Sequence, residues 1–340
     1  MSERRGLIAG GNWIVDHVKV IDAWPPQDAL ANIISQTKGN GGAPYNILIN
    51  LAKLDAGIPL EAIGLVGDDA DGRHIVNDCR THGIETSQLR MTDLAHTSYT
   101  DVMTVRGDGR RTFFHNRGAN ALLAPEDFDF SRSNARHFHL GYALLLDALD
   151  QVGGKGIPRM GEVLAGARSA GLTTSLDCAS EHSDRFISVI IPVLSDVDVL
   201  FVNDFEAEKL TGISLRRGGG ISREPVEEAA QKLLALGVRQ QALVHFPEGA
   251  YSCKRDGTVD WSPSLRIPAE SIAGAAGAGD AFAAGVLLGL HEGWPVERCL
   301  ALGMCTAAAS MTEVTCSAGV RSFTECLALA NRWGYHEFAA

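Results

Sequence analysis

Apolar residues along the chain follow two alternating patterns. Short continuous apolar runs are typical of strands buried on both faces, and segments with apolar residues every three or four positions are typical of amphipathic helices. The predicted strands are 7–10, 62–66, 138–140, 173–176, 197–202 and 242–246. The predicted helices are 44–54, 71–82, 161–170, 187–194, 204–210, 226–236, 281–291, 296–312 and 323–333. Strands separated by helices of this length must pair in parallel, so the pattern predicts an α/β three-layer sandwich with a mainly parallel central sheet.

One region breaks this alternation. Segments 13–21, 97–105 and 111–115 are rich in β-forming residues, and the Arg-Gly-Asp-Gly-Arg run at 106–110 is a hairpin turn signal. These segments predict a small separate sheet beside the main one. An α/β chain of 340 residues often forms one core with an attached subdomain, and we therefore expect residues 1–340 to form a single domain.

Composition narrows the class of ligand. The formal net charge of −11 argues against nucleic acid and anionic membrane as partners, since both select clustered positive charge. No apolar run reaches the length of a membrane span, and we expect a cytoplasmic protein. The seven cysteines are scattered without a Cys-x-x-Cys pair, which indicates reduced, structural thiols. A small molecule is the expected ligand.

A glycine-rich stretch opens the predicted helix 281–291. Gly274, Gly277 and Gly279 leave a turn without bulk, and Asp280 lies at the mouth of the helix. Such a turn points unpaired backbone N–H groups outward at the positive end of the helix dipole, which suits a phosphate or a developing anion. Asp280 alone could be a helix cap, but a cap needs one residue. Several glycines together favour close approach of the backbone to a ligand.

Two other stretches combine polar residues with the start of a helix. Gly41 and Gly42 run into helix 44–54, which carries Asn46 one turn later; a tight turn before a helix would explain them equally well. Asn203 ends the apolar strand 197–202, and Glu206 follows three positions on. That pair fits a capping box, and its oxygens also suit a hard cation that keeps its waters.

Together these stretches resemble the signatures of the ribokinase-like (PfkB) carbohydrate kinases. Residues 277–282, Gly-Ala-Gly-Asp-Ala-Phe, are similar to the core of a family signature that usually reads Asp-Thr-Thr-Gly-Ala-Gly-Asp-Ala-Phe. At 274–276 this chain has Gly-Ala-Ala in place of the leading Asp-Thr-Thr. The Gly-Gly pair with its later Asn and the Asn-x-x-Glu motif follow in the family's order. The resemblance covers nearly the whole chain.

The resemblance implies a role for each candidate residue. Asp280 would be the general base, and backbone N–H groups of the loop at Gly277, Ala278 and Gly279 would form the anion hole. The sugar would be bound by Asp16, Gly41, Gly42 and Asn46. The nucleotide would be bound by Asn203 and Gly249, and magnesium, through water, by Asn203 and Glu206. A side chain at Gly42 would then block the sugar while the fold survives.

The resemblance also implies cofactors and an assembly. ATP and Mg²⁺ would be required, and segments of about 13–38 and 97–117 would form a lid that is also the contact of a homodimer. Many family members are activated by potassium beside the anion hole, but Gly274 and Ala275 bring no side-chain oxygen to such a site. Potassium dependence is therefore expected to be weak.

The sequence thus predicts ATP-dependent phosphorylation of a hydroxyl on a small sugar or sugar-like alcohol. A nucleoside kinase remains an alternative, because the same family phosphorylates nucleosides. A non-catalytic sugar- or nucleotide-binding protein on the same fold is the alternative from another class; the intact Asp280 argues against it.

Overall fold

The computed structural model describes residues 4–107, 111–154 and 156–337. The strands, in chain order, are β1 Leu7–Gly11, β2 Ile14–Ile21, β3 Ile33–Gly41, β4 Leu60–Gly67, β5 Glu85–Thr92, β6 Ser98–Val105, β7 Arg111–Asn116, β8 His137–Ala143, β9 Thr173–Cys178, β10 Val199–Asn203, β11 Arg216–Arg217, β12 Gly220–Ile221, β13 Gln241–Phe246, β14 Gly249–Lys254 and β15 Val259–Pro263. The α-helices are α1 Ala43–Leu54, α2 Ala70–Thr81, α3 Asp147–Asp150, α4 Met160–Ser169, α5 Asp204–Thr211, α6 Arg223–Ala235, α7 Ala278–His291, α8 Val296–Ser310 and α9 Phe323–Trp333.

A nine-stranded sheet forms the centre of the molecule. Its strand order is β15-β14-β13-β10-β9-β8-β1-β4-β5. The strands from β13 to β5 run parallel, and β14 and β15 add an antiparallel edge. The carboxyl ends of the parallel strands therefore meet at one edge of the sheet, where ligands of open α/β folds usually bind.

Alternation along the strands divides the core into two layers. In β1, Leu7 and Ala9 belong to the layer that contains residues of α1, α7 and α8, whereas Ile8 belongs to the layer that contains residues of α4 and α6. The strands are buried on both faces, as expected for a parallel sheet covered by helices. The predicted three-layer α/β sandwich is therefore confirmed. Within the described ranges, the helices are all too short or too polar to cross a membrane.

A four-stranded sheet stands apart from the main one. Its order is β3-β2-β6-β7, with β2 and β6 parallel and both outer pairs antiparallel. The predicted small sheet is thus confirmed. The predicted hairpin turn at 106–110 lies partly outside the described residues, which omit 108–110. We refer to these four strands as the small sheet.

Several elements differ from the expectation. Residues 33–41 form strand β3, which the sequence did not predict, so Gly41 ends a strand directly before helix α1. Strands β5, β14 and β15 carry no long apolar run and were not predicted from the sequence. The predicted helix 187–194 is a π turn, Phe186–Ile190, continued by 3-10 turns, Ile191–Asp196.

Candidate active site

The glycine-rich turn lies at the amino end of α7, as predicted. Gly277 is the N-cap with φ 76°, a backbone conformation that favours glycine, and a Cβ there would clash with Cys316. In the described ranges, the backbone N–H groups of Gly279 and Asp280 have no acceptor, while that of Ala278 donates to the carbonyl of Ala275 over 3.4 Å. The turn therefore presents N–H groups at the positive end of the helix, an arrangement that binds anions.

Asp280 lies in the first turn of α7 and is almost fully buried, with 4% of its surface exposed. Its Oδ2 accepts hydrogen bonds from Nδ2 of Asn46, at 2.7 Å, and from the hydroxyl of Tyr142, at 2.9 Å. Burial, reinforced by the negative charge of Asp177, raises the pKa of Asp280 to about 7. A carboxyl group with a pKa near neutrality is suited to exchange a proton with a ligand.

Tyr142 and Asp177 belong to this site, although the sequence reading did not identify them. Tyr142 is in β8 with φ 57°, a left-handed conformation that is unusual for a side chain of this size. Asp177 is buried near the end of β9; it accepts from the backbone N–H of Tyr142, and its Oδ2 lies 3.2 Å from Nε2 of His139. Their position at the carboxyl ends of parallel strands is the signal that could have found them.

The four predicted sugar-binding residues come together where the small sheet joins α1. Burial raises the pKa of Asp16 to about 6, and the charge of Asp16 in turn contributes to the raised pKa of Asp280. A Cβ on Gly41 would clash with the carboxylate of Asp16. Gly41 therefore leaves room for that carboxylate between β2 and β3.

Gly42 is constrained by the fold itself. It has φ 91°, and a Cβ would clash with the backbone carbonyl of Asn12. Because this contact lies within the fold, a side chain at Gly42 would disturb the backbone itself. The expectation that such a change spares the fold is wrong on these grounds.

Asn203 and Glu206 form the capping box that the sequence allowed. Glu206 N–H donates to Oδ1 of Asn203 at 2.9 Å, and Asn203 N–H donates to Oε2 of Glu206 at 2.9 Å. The other carboxylate oxygen, Oε1, accepts from the hydroxyl of Ser180 at 2.7 Å. Burial raises the pKa of Glu206 to about 8 despite these bonds. The carboxyl group of Glu206 is therefore mostly neutral at pH 7, and a nearby positive charge would be needed to keep it ionised.

These groups surround a cavity of about 250 Å³ beneath the glycine-rich turn. Its acidic lining residues are Asp177, Glu206 and Asp280, and of the described residues that line it none is lysine or arginine. Such a lining favours a hard cation with oxygen ligands. In the described part of the chain no cluster of three or more His, Cys, Asp or Glu side chains is arranged to hold a metal by itself. A cation here would need ligands from water or from a bound molecule.

A second, apolar groove of about 460 Å³ adjoins this cavity. The two share Asn203, His245 and Gly279, and the groove continues over apolar residues of α7, α8 and the preceding loops. Burial lowers the pKa of His245 to about 4, so its imidazole is neutral at pH 7. Gly249 is buried in the β13–β14 hairpin and is not among the described residues that line the groove.

Comparison with known sequences identifies the family. The model of the pfkB family carbohydrate kinases matches residues 11–322. An ATP-dependent ribose-1-phosphate kinase of Halopiger xanaduensis is 31% identical over 301 residues, which cover 87% of this chain and 88% of that protein. A 5-dehydro-2-deoxygluconokinase of Shouchella clausii is 24% identical over 302 residues and 87% of each chain.

Solved structures agree on the fold. The ribokinase of Arabidopsis thaliana, complexed with ribose and ATP, superposes with a TM-score of 0.76 at 22% identity and covers 96% of this chain and 98% of its own. A structure from E. coli in complex with ATP and Mg²⁺ gives a TM-score of 0.75 at 18% identity, with coverage of 96% and 99%. The chain is therefore a member of the PfkB carbohydrate kinase family and, as such, a phosphotransferase with an alcohol group as acceptor.

Proposed function

We propose that this chain transfers the terminal phosphoryl group of ATP to a hydroxyl of a small sugar, with Asp280 as the general base. The observation that carries the proposal is the position of Asp280, buried beside free N–H groups at the amino end of α7 and bonded to Asn46. A base must lie within hydrogen-bond reach of the proton that it takes, and its pKa works best near the operating pH. Asp280, with a pKa of about 7, meets the second condition before any ligand binds.

The sugar would lie between the small sheet and Asp280. Oδ1 of Asn46 is buried without a hydrogen-bond partner among the described residues, while its Nδ2 is bonded to Asp280. A buried acceptor without a donor is uncommon, and a sugar hydroxyl would supply the missing donor. Asp16, whose carboxylate fits beside Gly41, would accept from a second hydroxyl. One hydroxyl would thus be directed at the carboxylate of Asp280.

The adenine of ATP would occupy the apolar groove, with its phosphates at the junction of groove and cavity. Phe205, Phe246 and Met304 supply apolar surface to the groove, as expected of a site that binds a flat, largely apolar ring. Asn203 lies where the two spaces meet. The terminal phosphoryl group would then face the N–H groups of Gly279 and Asp280, which would stabilise the charge that develops during transfer.

Magnesium fits the acidic cavity, with Asn203 and Glu206 as the residues that would hold its waters. When bound, the ion neutralises charge on the phosphates. Its positive charge would also favour the ionised form of Glu206, whose pKa is otherwise raised by burial. The capping box would keep the carboxyl group oriented for this contact.

The small sheet would serve as a lid and as the contact of a homodimer. Register places Arg111, Phe113 and His115 on the same face of the small sheet as Asp16, toward the site. The opposite face exposes Phe114, Trp24 and Ile34, at 51%, 50% and 39% of their surfaces. Grouped apolar side chains of this size commonly mark a contact with another protein, and a second copy of the chain is the partner we propose.

A substrate panel tests the proposed function. Purified protein is incubated with ATP, Mg²⁺ and a series of free sugars, sugar phosphates and nucleosides, and ADP formation is measured with mass spectrometry of the product. We expect ADP formation to depend on a sugar and the product to carry one added phosphoryl group. Sugar binding by calorimetry without ATP consumption would identify a non-catalytic binding protein, and phosphorylation of nucleosides alone would identify a nucleoside kinase.

A further inference from the structure

An arginine of the small sheet lies against the start of the glycine-rich turn. Arg111 is the first residue of β7, the edge strand of the small sheet. Its Nη2 is 2.8 Å from the position that a Cβ would take on Gly274, and its Cζ is 3.8 Å from it. The carbonyl oxygen of Glu313 lies 3.8 Å from the same position. The space that a side chain at 274 would occupy is thus taken by a guanidinium group.

The charge of Arg111 is not neutralised within the described part of the chain. No carboxylate there forms an ion pair with it, and no acceptor there bonds to its guanidinium group. By contrast, Arg117 of the following segment pairs with Asp147 and Glu181. An arginine that is half-buried and unpaired leaves its five N–H donors available to an anion.

The field of Arg111 extends to the turn itself. Burial, together with the charges of Asp16 and Asp280, raises the pKa of Cys316 to about 12, and the charge of Arg111 acts in the opposite direction. Cys316 packs against Gly277, the N-cap of α7. Arg111 therefore acts electrostatically on a side chain that packs against the anion-binding turn and also feels the charge of Asp280.

A monovalent cation does not fit the same place. Gly274 and Ala275 offer no side-chain oxygen, and the guanidinium of Arg111 would repel a second positive charge. A cation needs several oxygen ligands to compensate for its lost water. The guanidinium group of Arg111 thus supplies the positive charge that a bound monovalent cation would otherwise supply at this place.

We propose that Arg111 supplies the fixed positive charge at the anion-binding turn and contacts the phosphoryl group during transfer, so that turnover needs no monovalent cation. The inference rests on the proposed function. In the step concerned, the bond from the terminal phosphorus to the ADP oxygen breaks, the bond to the sugar oxygen forms and Asp280 takes the hydroxyl proton. Arg111 exchanges no proton, because guanidinium stays protonated at any working pH.

The test compares Arg111→Ala and Arg111→Lys with wild type, using Arg106→Ala as the matched control. Arg106 is an exposed arginine in the turn directly after β6 of the same small sheet. Turnover is measured with ATP, Mg²⁺ and the sugar identified by the panel, in potassium, sodium or tetramethylammonium chloride at constant ionic strength. Guanidinium chloride is added to each variant at low concentration, and the melting temperature of each is recorded.

The turnover of wild type, and likewise that of Arg106→Ala, should change by less than about tenfold between the three salts. Arg111→Ala should lose about 10²-fold in turnover at an unchanged melting temperature, as when one anion-hole donor is removed. Guanidinium should restore part of that loss, which a merely structural role would not allow. Arg111→Lys keeps the charge but not the planar guanidinium group, so its turnover should lie between those of wild type and Arg111→Ala. This variant still tests the inference if the alanine variant does not fold.

The outcomes separate this inference from the proposed function. If wild type consumes no ATP with any sugar, the proposed function fails and takes the inference with it. If wild type is active and both Arg111 variants behave like Arg106→Ala, only the inference is overturned. Potassium activation of wild type by more than about tenfold would also overturn it, because the site would then depend on an added cation.

Discussion

The cavity around Asp280 and the small sheet differ in how completely contacts within one chain bond their polar groups and cover their apolar side chains. In the cavity, Asp280, Asp177 and Glu206 are buried, and each accepts hydrogen bonds from its own chain. On the outer face of the small sheet, Phe114 and Trp24 expose 51% and 50% of their surfaces. The cavity is thus prepared for chemistry before a ligand arrives, whereas the small sheet has apolar surface still to be covered. Catalysis and assembly should therefore respond to different substitutions.

The largest effect is expected at Gly42, where the two regions meet. Gly42→Val should destabilise the fold by more than about 4 kcal/mol, because the new Cβ meets the Asn12 carbonyl and φ is positive. Thermal unfolding measures the loss.

Gly41→Ala is the contrast, since its Cβ would clash with a side chain, that of Asp16, and not with the backbone. We expect a near-normal melting temperature and a raised KM for the sugar. Equal melting temperatures for Gly42→Val and wild type would contradict the assigned backbone contact.

The next effect concerns assembly. Phe114→Asp places a charge on the outer face of the small sheet, where Phe114 stacks on Trp24 with ring centroids 6.1 Å apart. We expect dimer dissociation to be favoured by at least about 2 kcal/mol, the typical cost of losing an interface anchor. Sedimentation of wild type and variant measures it.

Ile187→Asp is the matched control, because Ile187 is also exposed, at 61%, but lies far along the chain in the π turn. A wild type that sediments as a monomer would contradict the proposed dimer. So would a dimer that Phe114→Asp leaves intact.

The smallest effect is expected at the metal. Glu206→Gln keeps one oxygen, which can accept from the backbone N–H of Asn203, and its amide nitrogen can donate to the hydroxyl of Ser180 once that hydroxyl turns to accept. The substitution removes the charge that would attract magnesium. The magnesium concentration for half-maximal turnover should rise by up to about tenfold, which corresponds to roughly 1.4 kcal/mol. Thermal stability should not fall, because the raised pKa of Glu206 means that its ionised form is disfavoured in the folded protein, and a neutral amide avoids that cost. Equal magnesium dependence would return Glu206 to a purely structural role.

The sequence predicted those parts of the fold that repeat a simple pattern. Strand β4 and helix α1 follow from apolar runs and apolar periodicity, and the parallel sheet follows from their alternation. Strand β5 was missed because it is an edge strand, and exposed polar residues such as Glu85 and Ser87 alternate with its buried ones. Strand β3 is largely exposed and gave no apolar signal beyond Ile33 and Ile34.

The candidate site was predictable where its chemistry lies in a local motif. Asp280, Asn46 and Asn203 were found because glycines or a strand end precede a helix. Tyr142 could not be found, because its left-handed conformation and its bond to Asp280 depend on tertiary packing. Arg111 likewise contacts Gly274 only through the docking of the small sheet against a distant loop.

The central claim is that Asp280 takes the proton of the sugar hydroxyl, and Asp280→Asn tests it most directly. The asparagine oxygen can still accept from Asn46 and Tyr142, so the shape of the site is kept while the basicity is lost. Tyr142→Phe is the companion variant; it removes one donor to Asp280 but leaves the carboxylate, and we expect it to cost less than about tenfold in turnover.

The deciding measurement is turnover of Asp280→Asn at saturating ATP, Mg²⁺ and sugar, with calorimetry of sugar binding on the same protein. We predict turnover lower than wild type by about 10²–10⁴-fold, with sugar affinity nearly unchanged. Turnover equal to that of wild type would contradict the role of Asp280 as general base, because the proton would then have another acceptor.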